Sequence, residues 1–122
     1  MRIAVVSVPV SDQDRAKKFY TDVLGFTELA DSDLGPGMRW VMLAPPGGGA
    51  AITLVTWFPT MPAGSTKGLV YQVDDVDHWF AELTGRGFAF PDGVQDQFWG
   101  RFITLDDPDG NGIVLRQTTA AG

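Results

Sequence analysis

The 122-residue chain contains no cysteine. Disulfide scaffolds, iron–sulfur ligation, thiolate zinc sites and thiol nucleophiles are thereby excluded. It contains one histidine, His78, so no two-histidine metal pair or His-Glu-x-x-His helix can be assembled within one chain. No apolar run approaches the roughly 18 residues that a membrane-spanning helix needs. The segment from Met1 to Val10 lacks a long apolar stretch followed by a small-residue cleavage site, so no secretory leader is expected. Basic residues are few: nine Lys and Arg face fifteen Asp and Glu, for a formal net charge of -6. Such a surface repels phosphate backbones and anionic lipid, which argues against nucleic-acid and membrane partners. The expectation is a soluble, cytoplasmic protein.

What is present fits a single domain with a real core: 44% of residues are hydrophobic, and the length falls within the usual range of about 100–150 residues. The run from Ile3 to Val10 reads as a valine-rich strand. Ser11-Asp12-Gln13-Asp14 then reads as a helix start, with Ser11 accepting a first-turn N–H and the aspartates favoured at the positive end of the helix dipole. Ala16, Phe19, Tyr20, Val23 and Leu24 follow at helical spacing, and Gly25 is a stop. The second half repeats this. Lys67 to Val73 reads as a strand, Asp74-Asp75-Val76-Asp77 as a helix start, Val76, Trp79, Phe80 and Leu83 as an apolar stripe, and Gly85 and Gly87 as its end.

The two halves align beyond element type. Val10-Ser11-Asp12 matches Val73-Asp74-Asp75 at an offset of 63, and Gly25-Phe26 matches Gly87-Phe88 at 62. Arg39-Trp40-Val41-Met42-Leu43 matches Arg101-Phe102-Ile103-Thr104-Leu105 at 62, and Ile52-Thr53-Leu54 matches Ile113-Val114-Leu115 at 61. A slow drift of this kind is the mark of duplication with small insertions and deletions. Each half reads strand, helix, then three strands, with turns at Pro45–Gly49 and Asp106–Asn111. The predicted organisation is α+β: two tandem βαβββ modules, about residues 1–60 and 66–119, joined by a linker near 57–66, with helices near 11–24 and 74–86.

Val8 to Ala16 with Phe19-Tyr20 and Leu24-Gly25-Phe26 resembles the opening of the vicinal oxygen chelate superfamily, the glyoxalase I, bleomycin-resistance and extradiol-dioxygenase group. Val73 to Asp77 with Leu83, Gly87-Phe88 and Asp107-Pro108-Asp109-Gly110-Asn111 resembles its second module, so the likeness runs over residues 3 to 117. The resemblance implies a curved mixed sheet around a cleft, and homodimers. It also implies where metal-dependent members carry ligands: first-strand positions Val5 and Gly68, last-strand positions Thr53 and Val114. None is a His, Glu, Asp or Cys, and neither valine nor glycine offers a side-chain lone pair to a divalent cation. No metal and no other cofactor is expected.

Other chemistry-bearing patterns have plainer readings. Asp107 to Asn111 superficially resembles a calcium loop, but its twelfth residue is Thr118 where an EF-hand needs glutamate; a hairpin turn is expected. The glycines at 47–49 lack a following Lys-Ser/Thr, so they form no phosphate-binding loop. His78 lies off the helix stripe and is expected in solvent.

Strand alternation sorts the faces. The helix-side core should comprise Val6, Val8, Val41, Leu43, Ile52, Leu54, Leu69, Tyr71, Ile103, Leu105, Ile113 and Leu115. The opposite phase should line the cleft. From the first half it supplies Val5, Ser7, Trp40, Met42, Thr53 and Val55; from the second, Gly68, Val70, Gln72, Phe102, Thr104, Val114 and Arg116. Trp57, Phe58, Phe98 and Trp99 should close the rim. Trp40 and Phe102 are repeat-equivalent, so a pseudo-twofold would let their rings sandwich a flat guest. Arg116 suits an anionic group, whereas the net charge favours cationic guests at long range.

These features favour a binding protein that sequesters a small hydrophobic or aromatic compound in an apolar cleft. Two alternatives stand beside it. One is a lyase or isomerase of glyoxalase type working without the usual metal ligands, with Arg116 as an oxyanion partner. The other is a dimeric interaction module whose cleft is filled by side chains.

Overall fold

Valine- and isoleucine-rich runs suit a pleated, half-buried surface, and the glycine and proline clusters between them turn the chain. The computed structural model describes residues 1–118; the expected end of the second module, residue 119, lies outside the described residues. In chain order the first half comprises β1 (Val5–Pro9), α1 (Gln13–Lys18), β2 (Thr27–Asp33), β3 (Arg39–Ala44) and β4 (Ala51–Val55). The second comprises β5 (Leu69–Gln72), α2 (Val76–Gly85), β6 (Gln95–Gln97), β7 (Gly100–Asp106) and β8 (Gly112–Gln117). Both halves are βαβββ, as the repeat predicts, and the fold is α+β.

Two four-stranded sheets result, ordered β1-β4-β3-β2 and β5-β8-β7-β6. In each, the first strand pairs in parallel with the last, and the remaining pairs are antiparallel. The chain forms two compact units. One holds Met1–Thr66 together with Asp107–Asn111; the other holds Lys67–Asp106 and the chain from Gly112.

In the first unit α1 lies on β3 and β4. The Gln13 amide fastens it, with Nε2 donating to the Arg39 and Leu54 carbonyls at 2.7 Å each. The N-cap is Asp12, not Ser11: Asp12 is extended, and its carboxylate accepts from the Arg15 N–H at 3.1 Å. Ser11 is held elsewhere, donating through N and Oγ to Asp109 at 3.1 and 2.5 Å. A carboxylate recruits these donors more strongly than a free helix N–H recruits a hydroxyl. The helical stretch runs on past Lys18 but changes its winding. From Phe19 to Val23 it widens into a π-helical turn. There Tyr20 and Leu24 are buried, and Tyr20 packs between Phe19 and Phe26 at centroid distances of 5.3 Å.

The turn Asp107–Asn111 completes this unit. Asp107 Oδ1 accepts the Asp109 and Asn111 N–H groups at 2.9 Å each; Oδ2 accepts the Tyr20 hydroxyl at 2.9 Å and Asn111 Nδ2 at 2.8 Å. Asn111 Nδ2 also donates to the Pro9 carbonyl at 2.8 Å, which takes the Gly64 N–H as well, at 3.1 Å. Gly64 is required where it stands: its φ is +81°, and a Cβ would fall 2.1 Å from the Asp109 carbonyl oxygen. The hairpin turn expected from Asp-Pro-Asp-Gly-Asn is present between β7 and β8, with the Asp107 carboxylate saturated by protein donors and, among the described residues, Asp109 Oδ2 buried without one.

In the second unit Asp75 caps α2, accepting from the His78 N–H at 3.1 Å, and the helix lies on β7 and β8. Val76 and Leu83 are fully buried under it, while His78 is exposed. Of the expected core, Val8, Val41, Leu43, Ile52, Leu54, Ile103, Leu105, Ile113 and Leu115 are buried. Val6, Leu69 and Tyr71 are only half-buried. They belong to β1 and β5, each with a single strand neighbour in its sheet.

Candidate functional site

The faces of both sheets are fixed by repeat-equivalent ion pairs. Arg39 on β3 pairs with Asp14 of α1 at 2.9 Å, and Arg101 on β7 pairs with Asp77 of α2 at 2.9 Å. Each arginine takes a second carboxylate from the neighbouring strand, Asp31 at 2.8 Å and Asp96 at 2.7 Å. Arg39, Val41 and Leu43 therefore share the α1 side, and Arg101, Ile103 and Leu105 the α2 side. Trp40 and Met42, and Gly100, Phe102 and Thr104, necessarily face the other way. The carboxylates with lowered pKa belong to the helix side. Asp31 is held well below the usual carboxylate range by hydrogen bonds from Arg39 and then Lys17, and Asp77 is lowered by Arg101.

On the first sheet, register aligns Ser7, Thr53 and Met42 across β1, β4 and β3, with Ala30 beyond on β2. Thr53 is 1% exposed, because β4 lies inside the sheet and all five of its residues are buried. Its hydroxyl donates to Ser7 Oγ at 3.5 Å. Val55 is buried with it. Val5 is 40% exposed; Trp40 and Met42 are half-buried. Trp57 packs against Phe58 at 6.0 Å, past the end of β4.

On the second sheet, register places Gln72, Arg116, Phe102 and Gln95 in one row across all four strands, with Val70, Val114 and Thr104 in the next. Val70 is 44% exposed, Gly68, Gln72 and Thr104 are exposed, and Val114 and Arg116 are half-buried. Trp99, in the two-residue turn between β6 and β7, stacks on Phe102 at 4.5 Å with an interplanar angle of 29°. Beside it Phe98 is almost fully exposed. Arg116 Nε and Nη2 both donate to Gln72 Oε1 at 3.2 Å. The structure thus brings Gln72, Arg116, Phe102 and Trp99 onto one sheet face, away from α2, with Phe102 buried and Trp99 37% exposed.

Sequence reasoning placed these side chains on a common face but missed Gly100. It has φ +144°, and a Cβ there would lie 2.9 Å from Arg116 Cγ and 2.8 Å from the Gln117 carbonyl oxygen. The signal was available in the position of Gly100, where the first half has Met38. A depression of about 500 Å³ also lies at Arg2, Ile3, Ala4, Gly49 and Ala50; none of the expected site residues lines it. Among the described residues no three His, Asp or Glu side chains converge as a metal would require. Among the same residues no helix is long and apolar enough to cross a membrane.

Comparison with known proteins converges on one family. The profile of the Glyoxalase/Bleomycin resistance protein/Dioxygenase superfamily matches residues 2–115. An antibiotic binding protein from Streptomyces sp. CB03234, TnmS3, is 47% identical, with a TM-score of 0.90 over 98% of this chain and 97% of that one. A glyoxalase/bleomycin resistance protein from the same organism is 50% identical, with a TM-score of 0.85 over 94% of this chain and 99% of that one. The Bacillus subtilis (strain 168) protein YetH, described as uncharacterized, is 32% identical over 119 residues, covering 95% of this chain and 98% of that protein.

Proposed function

The chain belongs to the Glyoxalase/Bleomycin resistance protein/Dioxygenase superfamily, and on that premise we propose that it binds and sequesters a small hydrophobic or aromatic compound, an antibiotic foremost, without a metal. The observation that carries this reading is the Trp99–Phe102 stack, with Trp99 37% exposed on the sheet face away from α2. An exposed ring already stacked on a second ring presents a flat, pre-ordered surface, and further stacking on it costs little side-chain entropy. The likeness to an antibiotic binding protein over nearly the whole chain supports the same reading.

Binding of this kind needs shape, stacking and a few polar contacts. Metal-assisted turnover needs ligands, and Val5, Gly68 and Val114 carry none. We place the protein in the cytoplasm as a homodimer, to be checked by sedimentation at micromolar concentration.

The test is calorimetric titration of the purified protein with a panel of planar aromatic antibiotics, followed by mass spectrometry of the recovered compound. Saturable binding with unchanged compound is expected. Recovery of a chemically altered compound would favour the lyase or isomerase reading, and absence of binding across the panel would favour the interaction module.

A further inference from the structure

Resting on the binding reading, we infer that the ligand is an aromatic acid: a planar ring system bearing an anionic oxygen group, such as a sulfonate, carboxylate or phenolate, which Arg116 receives beside the Trp99–Phe102 stack.

The inference starts from how the arginines are partnered. Arg15, Arg39, Arg86 and Arg101 each have a carboxylate within ion-pair distance. Exposed Arg2 and half-buried Arg116 have none among the described residues; the partner of Arg116 is the neutral amide oxygen of Gln72. In a chain with fifteen acidic residues, a half-buried arginine whose guanidinium is left with an amide stands apart from Arg39 and Arg101, which each hold two carboxylates. The amide directs Nε and Nη2 and neutralises nothing, so the full positive charge stays on this face.

The local backbone is shaped around that side chain. Gly100 leaves room for the Arg116 stem: a Cβ would lie 2.9 Å from Cγ and 3.1 Å from Cδ. Phe102 is the direct cross-strand partner of Arg116, and its ring carries Trp99. Phe102, the Arg116 cation and the orienting Gln72 amide are therefore held on adjacent strands by ladder hydrogen bonds, and Trp99 joins them from the two-residue turn between β6 and β7. A planar guanidinium is suited to oxygen anions, to which it donates two parallel hydrogen bonds. The overall negative charge would draw cationic guests from a distance, but it is screened beyond about one Debye length. At contact the Arg116 charge decides.

Two dyes with a common ring skeleton separate the contributions. Anilinonaphthalenesulfonate carries a sulfonate; phenylnaphthylamine is its uncharged counterpart. Both are titrated against the intact protein and against Arg116→Gln and Gln72→Leu, with unfolding curves confirming that each variant folds. The expected result is that Arg116→Gln weakens the sulfonate about tenfold or more, the scale of a charge-assisted hydrogen bond, and leaves the neutral dye within about twofold. Gln72→Leu, which frees the guanidinium from its orienting partner, should lower only the sulfonate, and by less. If Arg116→Gln lowers both dyes equally or neither, the aromatic-acid inference is overturned while aromatic binding stands. If the intact protein binds neither dye, the binding reading itself falls.

Discussion

The Tyr20 hydroxyl donates to Asp107 Oδ2 at 2.9 Å, joining the first helical segment to a turn 87 residues further along the chain. Both groups are buried, and Asp107 accepts three further donors, from Asp109 and Asn111. A buried carboxylate is tolerable only when so satisfied. Tyr20→Phe keeps the ring between Phe19 and Phe26 and removes one donor, for an expected loss of about 1–3 kcal/mol. Asn111→Ala should cost more, because it strips Asp107 of an amide donor and the Pro9 carbonyl of another. Urea unfolding of the two variants gives the ranking; equal or negligible losses would show that the network contributes little.

Acid should weaken the protein through Asp31. Its folded pKa lies below the ordinary value because Arg39 and Lys17 donate to it. The stabilisation is therefore present above the unfolded pKa of about 4 and is lost as the pH falls toward the lower folded value. Asp31→Asn should melt below the parent at pH 7, with the gap closing in acid below about pH 4. A gap that stays constant across the thermal-melt series would remove Asp31 from the acid limb.

Gly100→Ala should fail in two ways at once. A non-glycine residue at this φ is strained by about 1–3 kcal/mol, and the new Cβ meets the Gln117 carbonyl oxygen and the Arg116 stem. A lower urea midpoint together with weaker dye binding is expected. Unaltered dye affinity in the folded variant would show that Arg116 holds its position without the glycine.

Trp99→Ala should remove binding surface at small structural cost. The stack on Phe102 is worth about 0.5–1.5 kcal/mol, so stability should change by no more than that, while an aromatic ligand should lose about 1–2 kcal/mol of affinity. Trp79→Ala is the contrast, since Trp79 is half-buried on α2 and should cost stability and leave affinity alone. Calorimetric titration paired with thermal melts distinguishes them, and an unchanged affinity in Trp99→Ala would place the ligand elsewhere.

The duplicated architecture was legible because helix stripes and strand alternation are local, and because Arg39-Trp40-Val41-Met42-Leu43 recurs as Arg101-Phe102-Ile103-Thr104-Leu105. The strand phase was legible for the same reason: Trp40, Phe102 and Arg116 lie on the side that alternation assigns them, opposite Arg39 and Arg101. Contacts between distant segments left no local trace. Nothing in Ser11-Asp12 shows that Asp109 claims the serine and leaves the cap to the aspartate. Nothing in Gln97-Phe98-Trp99-Gly100 shows that the indole folds back onto Phe102. The change from α- to π-helical winding after Lys18 likewise has no local signal in the apolar stripe, which runs unbroken to Leu24. Thr53 was expected on a lining face, and its burial follows from the place of β4 inside the sheet, which strand alternation alone does not determine.

The turn at Asp107–Asn111 makes the two halves unequal as genetic parts. A fragment cut after Thr66 would carry the Tyr20 hydroxyl, the Ser11 donors and the Pro9 carbonyl without the groups that pair them, and the corresponding turn at Pro45–Gly49 has no carboxylate or amide side chain to supply the lack. For split-protein work, the dividing point that respects the pairing is not the midpoint of the repeat: residues 107–111 must travel with the first half, which no cut between residues 66 and 107 achieves.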